Sequence, residues 1–568
     1  MTIMDDKLFE KLLIPVRKVS FKKGFFQLTD SSILKEYQDE SIKNPEGYKI
    51  EIQSDCIEIS SATDAGTYYA IQTLKDLAAV YENKLPCCLM EDWPDFKRRG
   101  VYLDCARGKV PKLKTLKELA VRLSQWKINE LQLYIENVFT FKKHPDIGKG
   151  YSPFAPDEIL ELQRHCKKHH IRLVGSLASF GHLERILELP KYQHLGELAG
   201  YRGLAGGTTL CPIDPGSLKL ISELYKEFVP LFEAEDFNAC CDETWELGEG
   251  RSKILAEKIG KGKVYLQFLL KIYDLCQKYD KRMNIWADIV LKHPELLSKL
   301  PKDIVLLNWE YEKDGNNIYR TKELAKAGLP FMVCPGTSGW LTHGSRIPTS
   351  MANVTNFAEH GRRFGAEGLL NTDWGDNGHR NFLGASLHSF AHSAAQSWNG
   401  KAVDNEKFTE NFCRHFFKQK NNSLAGVIKK LGSNYITCGT TVPNRSWLYF
   451  ALVEPMKNIK PDSYIYKMND KGLKQIVEYF SDKSIWPKLT KQAGNFEKTA
   501  LEELKLAAQM DVLAAKRTLT AKGFKNRYIA KDMQKMANDF KRLWLLRNKP
   551  SRLKENLNLF KQICDECE

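Results

Sequence analysis

Long apolar runs are missing from this chain of 568 residues. Nothing in it approaches the roughly 18 consecutive apolar residues of a membrane helix, so no membrane span is expected. The first 25 residues (MTIMDDKLFEKLLIPVRKVSFKKGF) hold neither a long apolar stretch nor a small-residue cleavage site, and a cytoplasmic location is the expectation. Internal repeats and low-complexity tracts are lacking, and 43% hydrophobic with 27% charged residues excludes a disordered chain. So are a phosphate-binding loop and a dinucleotide-type glycine fingerprint placed after a strand. The 14 cysteines form no spaced framework, and Cys564-Asp565-Glu566-Cys567 is a lone CxxC with no second pair. Buried thiols in a reducing compartment are expected, not disulfides or zinc. His165 and His169 share a helix face but have no third ligand at a zinc-enzyme spacing, so they read as a surface helix and no metal is expected. N-x-S/T matches at Asn353, Asn421 and Asn444 carry no weight without a secretion signal.

Charge of one sign is not concentrated. Lys+Arg exceed Asp+Glu by 85 − 70 = 15, yet the excess is spread along the chain. Short clusters such as Lys97-Arg98-Arg99 and Lys418-Gln419-Lys420 read as solvated faces. The balance permits acidic glycans as partners; nucleic acid and membrane are not expected. What is abundant is aromatic: 11 Trp, 22 Tyr and 28 Phe, enough for a large core or a sugar-binding cleft.

Three regions follow from patterning. Residues 1–93 mix strands and helices. YKIEIQSDCIEISS (48–61) alternates as a half-buried antiparallel pair does, and a helix opens at Asp64. Residues 94–400 alternate β-rich runs with amphipathic helices. The runs are RRGVYLDCA, NELQLYIEN, IRLVGSLA, FNACCDET, RMNIWAD, IVLLNWEY, FMVCPG and GLLNTDWGD. Eight strands, each followed by a helix, predict an α/β fold of (β/α)8 TIM barrel type. Residues 401–568 read as mostly helical, with apolar faces packed on a neighbour.

In such a barrel the chemistry gathers where strands end. Glu136, His182, Asp242, Glu243, Trp286, Trp309 and Trp374 fall there or just beyond. Asp242-Glu243 is the pair of interest, because two carboxylates at a strand end are costly to bury without a purpose. Sequence neighbours are poorly placed to flank a sugar as acid and nucleophile. They suit another division: one protonates the leaving oxygen, the other steers a group of the substrate.

The motifs around this pair resemble glycoside hydrolase family 20, the β-N-acetylhexosaminidases. They are Arg99-Gly100 in RRGVYLDCAR, Phe180-Gly181-His182, LCPIDP (210–215), Asp242-Glu243 followed by TWELGEGRS, CPGTSGW (334–340) and TDWGDNGH (372–379). They occur in family order over about 95–400, and residues 1–92 resemble the small domain that precedes such barrels. The resemblance implies exo-hydrolysis of terminal β-linked GlcNAc or GalNAc from an oligosaccharide or glycoconjugate. The substrate's own acetamide oxygen attacks C1, an oxazolinium forms, and water opens it with retention. No cofactor is needed.

By the same resemblance Glu243 is general acid and then base, and Asp242 holds the acetamide N–H. The Asp242 charge should raise the pKa of Glu243. Arg99 should donate to hydroxyls of the terminal sugar. His182 should tune the carboxylates, with Glu136 or Asn137, the former favoured, supporting His182 or the sugar. Trp286, Trp309, Trp340 and Trp374 should wall the pocket, and Asp376 should accept from O4 or O6. The donor to the acetamide carbonyl is open between Tyr311 and a group in the 336–340 loop. Cys240 and Cys241 stand where small glycines are common. A catalytically weak sugar-binding barrel and a nucleic-acid-binding helical tail are the competing readings.

Overall fold

The computed structural model describes residues 8–315, 317–526 and 529–567. The N-terminal region is a five-stranded sheet with spatial order β1-β5-β3-β4-β2. Its strands are β1 (Lys18–Gln27), β2 (Leu34–Gln38), β3 (Tyr48–Ile52), β4 (Ile57–Ser61) and β5 (Lys84–Asp92). The expected pair is present: β3 and β4 run antiparallel with Ile50 opposite Ile59. Alternate residues of both strands are buried, the period-2 pattern seen in the sequence. Helix α1 (Asp64–Val80) contacts β3 and β4 and closes that face.

The barrel also forms as expected. Strands β6 (Arg98–Asp104), β7 (Glu130–Ile135), β8 (Arg172–Leu177), β9 (Asp236–Asn238), β10 (Arg282–Trp286), β11 (Val305–Trp309), β12 (Phe331–Cys334) and β13 (Gly368–Asp373) close into one ring. All pairs are parallel, and β13 returns to β6 over six residue pairs. The strands are buried on both faces, because helices cover the outside. The crossovers use α2 (Leu113–Gln125), α3 (Pro156–Lys168), α4 (Pro215–Phe228), α5 (Lys261–Gln277), α6 (Asn317–Ala327) and α7 (Ile347–Phe364), and α8 (Leu383–Asn399) follows the last strand. The connection from β10 to β11 has only a short helix, Asp288–Lys292, and a 3-10 turn.

Two expectations fail at the barrel floor. Lys97-Arg98-Arg99 is not a solvated cluster, since both arginines are buried. Arg98 forks onto Glu130 with two bonds of 2.9 Å and reaches Asp236 at 3.0 Å. Arg99 lies at the start of β6, the end opposite the mouth. Its guanidinium donates to Glu46 (2.6 and 3.0 Å), to the Lys127 carbonyl (2.8 Å) and to the Phe96 carbonyl (2.9 Å), and it lies over Trp398. It ties the N-terminal sheet to the barrel and is spent on that contact. The assignment of Arg99 to the sugar is therefore corrected.

The remaining helices pack on the barrel. Helix α9 (Asn495–Ala521) lies against α8, and α10 (Ile529–Arg547) and α11 (Leu553–Cys567) follow it. Glu503 on α9 accepts from the Gly384 N–H at 2.7 Å, and Asp511 bonds His343 at 2.8 Å. His343 belongs to the loop after β12 that also carries Trp340, so a distal helix braces the mouth. No helix among the described residues is long and apolar enough to cross a membrane. The cysteines from Cys56 to Cys438 are buried thiols. The Cys567 side chain, and with it the CxxC expectation, lies outside the described residues. His165 bonds the Lys117 carbonyl at 3.1 Å, a helix-surface role.

Candidate active site

The run FNACCDET was expected to be strand, but only Asp236–Asn238 is. Cys240, Cys241 and Glu243 all take left-handed backbone angles (φ 60°, 65° and 48°). Such angles cost non-glycine residues about 1–3 kcal/mol each, and they end the strand. The strict alternation of side chains ends with it. Adjacent Asp242 and Glu243 can then reach the same partner. His182 Nε2 lies 3.3 Å from Asp242 Oδ2 and 3.3 Å from Glu243 Oε2. His182 is itself left-handed at φ 58°. Gly181 before it has no room for a side chain, because a Cβ there would sit 2.3 Å from the Asp242 carbonyl oxygen.

The bends are held from outside. Tyr265 donates to the Cys241 carbonyl at 2.8 Å, and the Glu243 N–H donates to Asp288 Oδ2 at 3.2 Å. Cys240 sits 3.5 Å from Ser176 Oγ, and burial pushes its thiol up to about 12, so it is neutral filling.

Arg107 is the cation that sequence reasoning missed. It lies three residues beyond Asp104, the last residue of β6, at the mouth. Its guanidinium is within 3.5 Å of Asp104, Glu136 and Asp376 and lies 3.3 Å from His182 Nδ1. It also stacks over Tyr134 (5.0 Å) and Trp374 (4.9 Å). Asp104 shapes this turn by accepting the N–H groups of Ala106, Arg107 and Gly375. The available signal was position: Arg99 opens its strand, whereas Arg107 follows the strand's end.

Glu136 accepts from Tyr134 OH at 2.8 Å. Burial, with the charge of Glu184, pushes Glu136 up to about 7 against the pull of Arg107 and His182. Glu136, His182 and Glu184 could together hold a metal ion, their ligand atoms lying within 4.8 Å. Arg107 already supplies a cation to two of the three.

Glu243 departs from expectation. Burial raises it, but the hydrogen bond and charge of His182, then Arg107 and Trp245, outweigh burial and hold it below the usual carboxyl range. The Asp242 charge does not control it, because His182 lies between. His182 is correspondingly held well above the ordinary imidazole value: burial lowers it, and Asp242 and Glu243 more than compensate. Asp288 is pushed up to about 7 by burial and by the Asp242 charge.

The aromatic residues assemble into one wall. Trp286 and Trp374 lie 6.0 Å apart, both edge-on to Tyr102. Trp374 Nε1 donates to Tyr311 OH at 3.0 Å, which leaves the tyrosine proton for another acceptor. Tyr311 stacks on Trp309 at 5.3 Å and meets Trp340 edge-on at 4.9 Å. Gly336 makes that packing possible, since a Cβ there would sit 2.6 Å from Trp340. Asp242 Oδ1 is buried and has no hydrogen-bond partner, and the same holds for Trp286 Nε1. A lone acceptor of this kind costs free energy until something donates to it.

The sequence model of the glycosyl hydrolase family 20 catalytic domain matches residues 96–399, and that of the family's domain 2 matches residues 11–93. The chain belongs to glycosyl hydrolase family 20. It is 24% identical over 228 residues to human hexosaminidase D, a match covering 39% of this chain and 46% of that protein. It is 24% identical over 278 residues to a lacto-N-biosidase of Bifidobacterium bifidum, covering 46% and 24% respectively. The chain thus spans half or less of the length of these relatives. Among solved structures it resembles a β-N-acetylhexosaminidase of Bacteroides fragilis (TM-score 0.59, 18% identity, 72% of this chain and 95% of that one). A chitobiase of Flavobacterium johnsoniae aligns over 94% of this chain and 99% of its own, with TM-score 0.58 and 16% identity. These likenesses are of fold.

Proposed function

We propose that this family 20 member is an exo-acting β-N-acetylhexosaminidase that removes terminal β-linked GlcNAc or GalNAc by substrate-assisted retention. The observation that carries the reading is the buried, unpartnered Asp242 Oδ1 beside Glu243, with both carboxylates gathered on His182. An acetamide N–H satisfies that oxygen. Held there, the acetamide carbonyl is turned toward C1, and its attack replaces an enzyme nucleophile. Alignment of such an internal nucleophile contributes about 7–11 kcal/mol. Tyr311 donates its free proton to the acetamide oxygen, and Trp286, Trp340 and Trp374 enclose the methyl. Trp309 closes the wall through its stack on Tyr311.

Glu243 protonates the departing oxygen, then takes a proton from the water that opens the oxazolinium. His182 stabilises both carboxylates while the positive charge develops. Arg107 and Asp376 bind the sugar hydroxyls, the role first expected of Arg99, and Glu136 keeps Arg107 in place. The partner is an oligosaccharide or glycoconjugate ending in N-acetylhexosamine.

The test is hydrolysis of a chromogenic β-GlcNAc glycoside against its glucose analogue. Activity is expected on the acetamido sugar alone, with retained anomeric configuration. Glu243→Gln and Asp242→Asn are each expected to lose at least ~10²–10³ in kcat, the scale of removing one transition-state contact. Equal turnover of the glucose analogue, or an inverted product, would falsify the mechanism.

A further inference from the structure

Next to Glu243 lies a cleft of about 510 Å3, lined among others by Trp245, Asp288, Lys292, Trp309, Tyr319 and Arg320. It adjoins the proposed catalytic residues through three of these. The Trp245 N–H donates to the Glu243 carbonyl at 2.8 Å, Asp288 holds the Glu243 N–H, and Trp309 stacks on Tyr311. A group leaving on protonation by Glu243 has this cleft beside it.

The chemistry of the cleft is not that of a bare aromatic shelf. The Lys292 ammonium sits 4.0 Å from the ring centre of Trp245, and the Arg320 guanidinium 5.8 Å from that of Trp309. One Arg320 N–H group is spent on the Trp309 carbonyl at 3.1 Å. Of the lining acids, Glu323 pairs with Lys326 at 2.8 Å, and Asp288 accepts the Glu243 N–H with one oxygen while feeling the charge of Lys292. Among the described residues neither Lys292 nor Arg320 has a carboxylate within ion-pair distance. Two cations are thus held against aromatic faces with donors to spare. A cation stacked on a ring has lost part of its freedom already, so less is lost when it meets an anion. A neutral pyranose would find a cation over each tryptophan in place of an open stacking face; an anionic one finds donors and charge.

We propose that the sugar on the leaving side of the cleaved bond carries an anionic group, a uronic acid carboxylate or a sulfate ester, and that Lys292 and Arg320 recognise it. This rests on the hexosaminidase reading above. The experiment compares kcat/KM for three disaccharides of one linkage, in which β-GlcNAc is joined to glucuronate, to glucose 6-O-sulfate or to glucose. At low salt one of the two acidic substrates is expected to exceed the neutral one about tenfold, an advantage that shrinks as salt rises. Which acidic arm wins tells carboxylate from sulfate. Lys292→Gln and Arg320→Gln are expected to bring the acidic-to-neutral ratio down toward one. The proposal is overturned if the neutral disaccharide matches both acidic ones, or if neither substitution moves the ratio. A chromogenic β-GlcNAc glycoside, which has no second sugar, separates the two failures. Its hydrolysis with no acidic preference sinks this inference alone, and its resistance sinks the hexosaminidase reading too.

Discussion

His182 holds two carboxylates on one nitrogen, and that arrangement sets the proton inventory of the site. Glu243 must carry a proton to act as an acid. Its pKa is depressed in the free protein, so the alkaline limb of kcat/KM should fall on the acid side of neutrality. Removing His182 removes the largest depressing cause and leaves burial, which raises the group. His182→Asn should therefore move the alkaline limb to higher pH while lowering the maximal rate about 10²–10³-fold. A pH–rate profile of the variant checks both. A slower enzyme with an unmoved limb would show that His182 does not govern the Glu243 proton. At this scale the carboxylate pair, the histidine and the tryptophans were readable, because a strand-end position in an alternating β/α pattern specifies which residues face the mouth. Arg107 was not. Arginines stand at both ends of this strand segment, and the motif drew attention to the one at the wrong end.

At the scale of elements, the turn after β9 does what its strand cannot. Three left-handed residues in four break the alternation, and Gly181 on the neighbouring loop lets the bent chain pass. Gly181→Ala would set a methyl 2.3 Å from the Asp242 carbonyl, closer than any real contact. The backbone of Asp242 has to move. Displacement on the ångström scale costs about 10²-fold in rate. The expected outcome is a large fall in kcat on the chromogenic glycoside, with a far-ultraviolet circular dichroism spectrum like that of the parent. Full activity would mean that the loop yields instead. The double-cysteine stretch read as strand because Cys, Phe and Ala favour burial. Only local backbone geometry, held by Tyr265 and Asp288 from distant parts of the chain, makes it a bend.

At the scale of the whole molecule, the N-terminal sheet is bound to the barrel by buried charge. Arg99 reaches Glu46, while Lys127, Tyr48 and the Trp398 indole all donate to Asp92 Oδ2. Arg99→Met strands Glu46, which retains some water, so the loss should lie near the lower end for a broken buried pair, about 3 kcal/mol. Chemical denaturation should read this loss while KM for the chromogenic glycoside stays within a factor of two. A raised KM at unchanged stability would return Arg99 to the sugar. The C-terminal helices are likewise attached, through Glu503, Asp511 and the Thr115 hydroxyl bond to the Arg547 carbonyl.

Periodicity and strand-end chemistry determined the barrel, the preceding sheet and the identity of the carboxylate pair, because both signals are local and repeat along the chain. Tertiary structure alone decided which arginine lies at the barrel mouth, which way the Glu243 proton equilibrium leans, and that Asp242 keeps one oxygen unpartnered. Those are properties of groups brought together from separate strands, and electrostatic and steric effects at such meetings depend on distances that no spacing in the sequence encodes.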